Sequence, residues 1–165
     1  MANTYEPIAT NTLGSAAASI TFSSISSAYT DLKIVFVGTA TAALYAKIQF
    51  NGDTAANYSY NGIYGDGTSA AAWSGSGVAF IAATPTFQTF TTIPTMFSTD
   101  VFSYGGSTYK SVLNTVAMDK NGSGIIAGNV GLWRNTAAIT SITILTSTST
   151  FAAGTTATLY GIKAA

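Results

Sequence analysis

The 165-residue sequence contains no cysteine and no histidine. Without cysteine there are no disulfides, no thiolate nucleophile and no Cys-ligated zinc. Without histidine a Ser-His-Asp arrangement is excluded, and the commonest general base and metal ligand is missing. Charge is nearly as scarce. Charged residues make up 7% of the chain, against about 25% in an ordinary soluble domain. Six basic residues offset six acidic ones, so the formal net charge is +0. Nucleic-acid binding needs several Lys or Arg to displace counterions from phosphates, and this balance argues against it. It argues equally against docking on an anionic membrane.

The opening residues, Met1 to Pro7, have neither a basic stretch nor an apolar core, so no signal peptide is expected there. The least polar stretch, Lys33 to Lys47, is too short for a spanning helix. A soluble protein made in a cytoplasm is the expectation. The length suits one domain, which buries about 68–70% of the surface that its unfolded chain exposes.

What is present is Ala, Ser, Thr and Gly, with 47% hydrophobic and 12% aromatic residues. Thr, Ser and Gly have low helix propensity. The alanine triplets at Ala16–Ala18 and Ala70–Ala72 are too short for stable helices and read as loops or strand edges. Strand signals recur instead, at Ser19 to Phe22, Asp31 to Val37, Leu44 to Phe50, Asn57 to Tyr64 and Val78 to Ala82. They continue at Thr95 to Tyr104, Tyr109 to Met118, Ile125 to Trp133, Ile139 to Leu145 and Thr156 to Lys163. Asp31 to Val37 begins in alternation and becomes wholly apolar, as a central strand does. Asn51-Gly52-Asp53 supplies a turn, and Asn121-Gly122 lies at the centre of a hairpin between Met118 and Ile125. These signals predict an all-β chain, an antiparallel β-sandwich of jelly-roll type with about eight to ten strands. Residues 1–12 read as an N-terminal arm ahead of one domain over 13–165.

A surface of Ser, Thr, Asn, Ala and Gly is cheaper to desolvate than one of Lys and Glu. It also lacks the net charge that keeps monomers apart. Only Pro7, Pro85 and Pro94 are available to block strand edges. A tight symmetric oligomer, docked on a larger assembly, is therefore expected.

Candidate sites are sparse. The carboxylates Asp53, Asp66, Asp100 and Asp119 lack the spacing of a calcium loop, and no metal is expected. No pair of carboxylates is singled out for glycosidase chemistry, so no catalytic residue and no cofactor is assigned. Gly62 to Gly67 carries glycines but no Lys-Ser/Thr and no following helix, so it reads as a turn. Tyr58, Tyr60, Tyr64 and Trp73 cluster in a Gly/Ser-rich region. They fit either an exposed sugar- or protein-binding loop or a set of rings packed across a hairpin. Trp133-Arg134 fits either a contact anchor or a plug at the end of the sandwich. Tyr5, Pro7 and Ile8 in the arm could clamp a shell or a neighbouring subunit by adding to an open sheet edge.

The residues at the two ends of the chain carry a resemblance. Tyr5-Glu6-Pro7-Ile8-Ala9-Thr10, Ile20 to Ile25 and Tyr29 to Leu32 stand at one end. Val130 to Ile144, Phe151 to Gly154 and Leu159 to Lys163 stand at the other. Together they resemble small virion proteins of tailed bacteriophages, well at both ends and poorly over 55–110. The resemblance implies a jelly-roll-like sandwich, commonly trimeric, serving as capsid cement or as a module of fibres and tails. The leading expectation is a homotrimeric capsid cement (decoration) protein on the virion, touching the major capsid protein. A receptor-binding or fibre module that recognises host sugars is the alternative, and a lectin-like module outside any virion is a third.

Overall fold

The computed structural model describes residues 4–85 and 92–163. Within them no helix forms, and twelve antiparallel strands build two sheets. The strands are β1 (Tyr5–Thr12), β2 (Ser19–Phe22), β3 (Asp31–Gly38), β4 (Ala46–Phe50), β5 (Tyr58–Gly65) and β6 (Ala70–Val78). They continue as β7 (Ile81–Ala82), β8 (Thr95–Phe102), β9 (Lys110–Asp119), β10 (Gly124–Trp133), β11 (Ile142–Thr146) and β12 (Thr156–Ile162). One sheet has eight strands in the order β1-β12-β3-β8-β9-β10-β5-β6, and the other has four in the order β2-β11-β4-β7. The chain is an all-β sandwich, as its composition predicts.

Two strands lie where no strand is expected. Residues 5–12 are not a free arm: they form β1, hydrogen-bonded to β12 from Tyr5 opposite Ile162 to Thr12 opposite Thr156. Residues 1–3 lie outside the described residues. The second is β6, which takes in Ala70–Ala72. It pairs with β5 over its whole length, so pairing overrides weak local propensity. The expected strand from Val78 to Ala82 is in fact the end of β6, a bend and the two-residue β7.

The turns follow from their sequences. Asn51 and Gly52 both have positive φ, as do Asn121 and Gly122. Asn-Gly is the pair that best adopts a type I′ turn, whose twist matches that of the flanking strands. The Asp53 N–H closes the first turn on the Phe50 carbonyl at 2.9 Å. Asn51 is then held from outside, its Oδ1 accepting the Thr140 N–H at 2.8 Å and the Ser141 N–H at 3.1 Å.

Between the sheets sits one apolar core. Leu32, Ile34 and Phe36 of β3 meet Ile142 and Ile144 of β11, Ile48 and Phe50 of β4, and Leu159 of β12. Phe36 stacks on Phe97 with centroids 4.5 Å apart, and Phe151 closes on it at 5.1 Å. A buried polar row crosses the inner face, where Thr99 Oγ1 donates to Asn114 Oδ1 and Asn129 Nδ2 donates to the Ala82 carbonyl.

Gly62 lies in line with that row. A methyl group there would meet Asn129 Cβ at 2.5 Å and Trp73 Cη2 at 2.6 Å. Gly128 faces the other way, and its nearest neighbour, the Asn114 carbonyl, is 3.9 Å from such a methyl. Gly62→Ala is therefore expected to lose about 1–3 kcal/mol in urea unfolding through overpacking. Gly128→Ala is expected to stay within about 0.5 kcal/mol of the parent.

Candidate interaction surface

The aromatic cluster does not form an exposed loop. Tyr58 lies on β5, fully buried, with its hydroxyl accepting the Phe50 N–H at 3.0 Å and reaching the Asp53 carbonyl at 3.1 Å. Burial, above all, pushes that hydroxyl up to about 12. Tyr60 stacks on Phe80, and Tyr64 tilts onto Trp73, which is 8% exposed. All four rings occupy inward positions of β5 and β6. Only Tyr64 with Trp73 packs across the β5–β6 pair; Tyr58 packs on Phe50 and Trp133 and Tyr60 on Phe80, so the rings face the interior and do not form an exposed loop.

Trp133 is likewise 1% exposed. It lies between Phe50 and Tyr58, and its Nε1–H donates to Asp53 Oδ2 at 2.8 Å. It plugs the end of the sandwich and offers no surface to a partner. Arg134 is exposed but bonded to its own chain, donating through Nη2 to the Ala56 carbonyl at 2.6 Å. Tyr5 and Pro7 are exposed on β1, while Ile8 packs against the core.

Each carboxylate is engaged by its own surroundings. Glu6 pairs with Lys163 at 2.8 Å, and Asp100 with Lys33 at 2.7 Å. Asp31 accepts the Ser103 N–H, Asp66 the Thr68 and Ser69 N–H groups, and Asp119 the Gly122 N–H. Asp53 accepts from Trp133, Asn57 and Ala55. These contacts are turn and strand ties, and they leave the six carboxylates scattered over the molecule. No cluster of three or more acidic residues suited to a metal occurs among the described residues. Lys110 is fully buried, and its ammonium donates to the Gly106 and Thr108 carbonyls at 2.6 and 2.5 Å. Burial pushes its ionisation below the usual lysine range.

The feature that sequence reasoning missed is the outer face of the eight-stranded sheet. Val35 and Val37 belong to the run expected to be a central strand buried on both sides, yet both are exposed. Along β8, β9 and β10 the exposed large hydrophobic residues are Met96, Phe102, Leu113, Ile126 and Val130, interspersed with the exposed polar residues Ser111, Thr115 and Asp119. Ile63 of β5 is 70% exposed and Ile126 is 68% exposed. Register brings these residues together. Val37 lies opposite Met96, Met96 opposite Ala117, and Ala117 opposite Ile126. Leu113 lies opposite Val130, and Ile63 lies between Gly128 and Ala72. Of the ten large hydrophobic residues exposed among the described residues, nine stand on this one face, Tyr5 of β1 among them. Comparison of the chain with protein-family models, curated proteins and solved structures finds no match.

The outer face is uneven as well as apolar. Small residues beside large ones leave two open grooves. One, of about 630 Å³, runs between Ile63, Ala72, Ile126 and Gly128. The other, of about 620 Å³, runs between Asn61, Ser74, Leu113 and Val130. From β9 to β6, short of Asp119 at the strand end, every outward position is uncharged. Among the described residues, the only ion pair on this face is Lys33–Asp100, on β3 and β8. Contiguous apolar faces of this kind are a common feature of protein contact sites. The signal in the sequence was the adjacent apolar pairs Met96-Phe97, Val112-Leu113 and Ile125-Ile126, which place large side chains on both faces of a strand.

Asp53 supplies a test of the plugged end. Partial burial disfavours the charged carboxylate and raises its pKa, but the hydrogen bonds from Asn57, Trp133 and Ala55 outweigh that, so its pKa lies below the ordinary value near 3.8. A depressed carboxylate contributes stability that is present above the unfolded value and lost as pH falls through the folded one. Urea unfolding followed by Trp fluorescence should therefore show wild type losing more stability than Asp53→Asn as pH drops below about 3.8. Equal losses in the two proteins would separate Asp53 from the acid sensitivity of this end.

Proposed function

We propose that this chain is a structural assembly protein of a virus particle, which acts by laying its apolar sheet face on a neighbouring protein surface. The carrying observation is the outer face itself: large aliphatic side chains, open grooves and no charge from β9 to β6. Burying such a face releases ordered water without stripping ions of their hydration. The resemblance of the chain ends to small tailed-phage virion proteins supports placing that surface on a capsid, with the protein serving as cement. Each copy contributes a modest contact, and many copies on one shell add through avidity. Binding only to the assembled shell would stabilise it by mass action.

The fibre or receptor-binding reading is less well supported, because Tyr58, Tyr60, Tyr64 and Trp73 face inward and leave no ring platform for a sugar.

Virus particles that carry the protein test the reading directly. Particles stripped of it should rupture at lower temperature than particles to which it is restored, and it should be present in hundreds of copies. Ile126→Lys with Val130→Lys should leave the isolated fold within about 0.5 kcal/mol, since both side chains are exposed. Rebinding to stripped particles should weaken at least about tenfold, because two ammonium groups would be buried without partners. Rebinding at full strength would remove the face from the contact. Unchanged rupture temperature would remove the cement role.

A further inference from the structure

The two sheets end in four edges, and three of them are protected. Strand β2 has four residues and β7 has two, too short to template a partner. Strand β1 carries Pro7, a register shift between Pro7 and Ala9, and the Glu6–Lys163 ion pair. Proline, bulges and charge are the usual devices against edge-to-edge pairing. Strand β6 has none of them across its regular part. Ala70 to Ser76 pairs in unbroken register with β5 on one side and, among the described residues, is the last strand of the sheet on the other. It contains neither charge nor proline, and the positive-φ residue Gly77 comes only after this stretch.

We propose that β6 pairs antiparallel with β6 of a second copy of this chain, about a two-fold axis normal to the sheet. Every second residue of an antiparallel edge strand turns its N–H and C=O away from its neighbour, so β6 offers roughly three or four residues with free main-chain groups. A second β6 presents the same groups in complementary order. It also brings no charge against the first, and its outward Ala72, Ser74 and Ser76 are small enough to sit beside their own copies. The trimer that the resemblance implies, joined in a ring through this sheet, would need β6 to meet β1, the guarded edge. A two-fold contact avoids that edge altogether.

The pairing fuses two eight-stranded sheets into one, with both apolar faces on the same side. Its consequence for docking rests on the function proposed above: a dimer would lay down two faces at once, and its second contact would be intramolecular.

Sedimentation of the purified protein at micromolar concentration should give twice the 16.9 kDa chain mass. Ser74→Lys with Ser76→Lys places like charges across the axis, where facing Cβ atoms come about 5 Å apart. That variant should sediment as a folded monomer, and so should Ser74→Asp with Ser76→Asp. An equal mixture of the two should recover the dimer. Wild type that sediments as a monomer or a trimer overturns the proposal, as does a lysine variant that stays dimeric. The face variant Ile126→Lys with Val130→Lys keeps the two ideas apart. If the edge forms the dimer, this variant stays dimeric even when it no longer binds particles. If it becomes monomeric, copies pack face to face and the edge proposal fails.

Discussion

The constraint on which this molecule turns is unequal cover. A sheet of eight strands has two faces, and a partner sheet of four can bury only one of them. On the inner face the solution is complete. Trp73 folds over Gly62, Ile81 of the two-residue β7 fills the space over Gly131, and Phe80 covers Tyr60, so the β5–β6 end is sealed without further strands. On the outer face there is no such solution. Aliphatic side chains that could have been Lys or Glu at no cost to the fold stand there instead, and the unpartnered edge β6 adjoins the same region. Surface exchange to charged residues is normally neutral for stability. Folding alone therefore does not require aliphatic residues at these positions.

Scarce charge is used for local geometry. Asp66 and Asp119 order turns, Asp31 ties the end of β8 to β3, and Asp53 joins the β4–β5 connection to Trp133. The two ion pairs are cross-strand, Lys33 with Asp100 and Glu6 with Lys163, and each is partly exposed, where such pairs contribute little. The one deeply buried charge, Lys110, is satisfied by backbone carbonyls and not by an acid.

Much of the fold was legible because strand periodicity and turn chemistry are local. Asn51-Gly52 marks the turn that carries the chain from one sheet to the other, Asn121-Gly122 marks the β9–β10 hairpin, and Leu32, Ile34 and Phe36 alternate inward as written. What was illegible depends on pairing. Nothing in Tyr5 to Thr12 announces a strand, since Pro7 argues against one; β12 makes it one by offering a ladder. Ala70 to Val78 has weak strand propensity and is made regular by β5. The candidate site fared worse for the same reason. A ring in a Gly/Ser-rich stretch reads as exposed until the register of β5 turns Tyr58 and Tyr60 to the core. Val35 and Val37 read as buried until the second sheet proves too small to reach both sides of β3.

The polar part of the surface points the same way as the apolar part. Thr10 bonds Thr158 at 3.0 Å and Thr12 bonds Thr156 at 3.0 Å across β1 and β12, and Thr21 bonds Thr143 at 3.2 Å across β2 and β11. These hydroxyls are exposed, yet each spends part of its hydrogen-bonding capacity on its cross-strand neighbour. Removing water from an unbonded hydroxyl costs about 1–3 kcal/mol, and a partner already in place lowers that cost. Both kinds of outward residue, the aliphatic ones near β9 and β10 and the paired threonines near β1 and β12, thus reduce the penalty for taking the sheet out of water. A surface built to remain solvated has no need of either device. Finding both on one sheet is the physical reason for reading this protein as a component that lies against others.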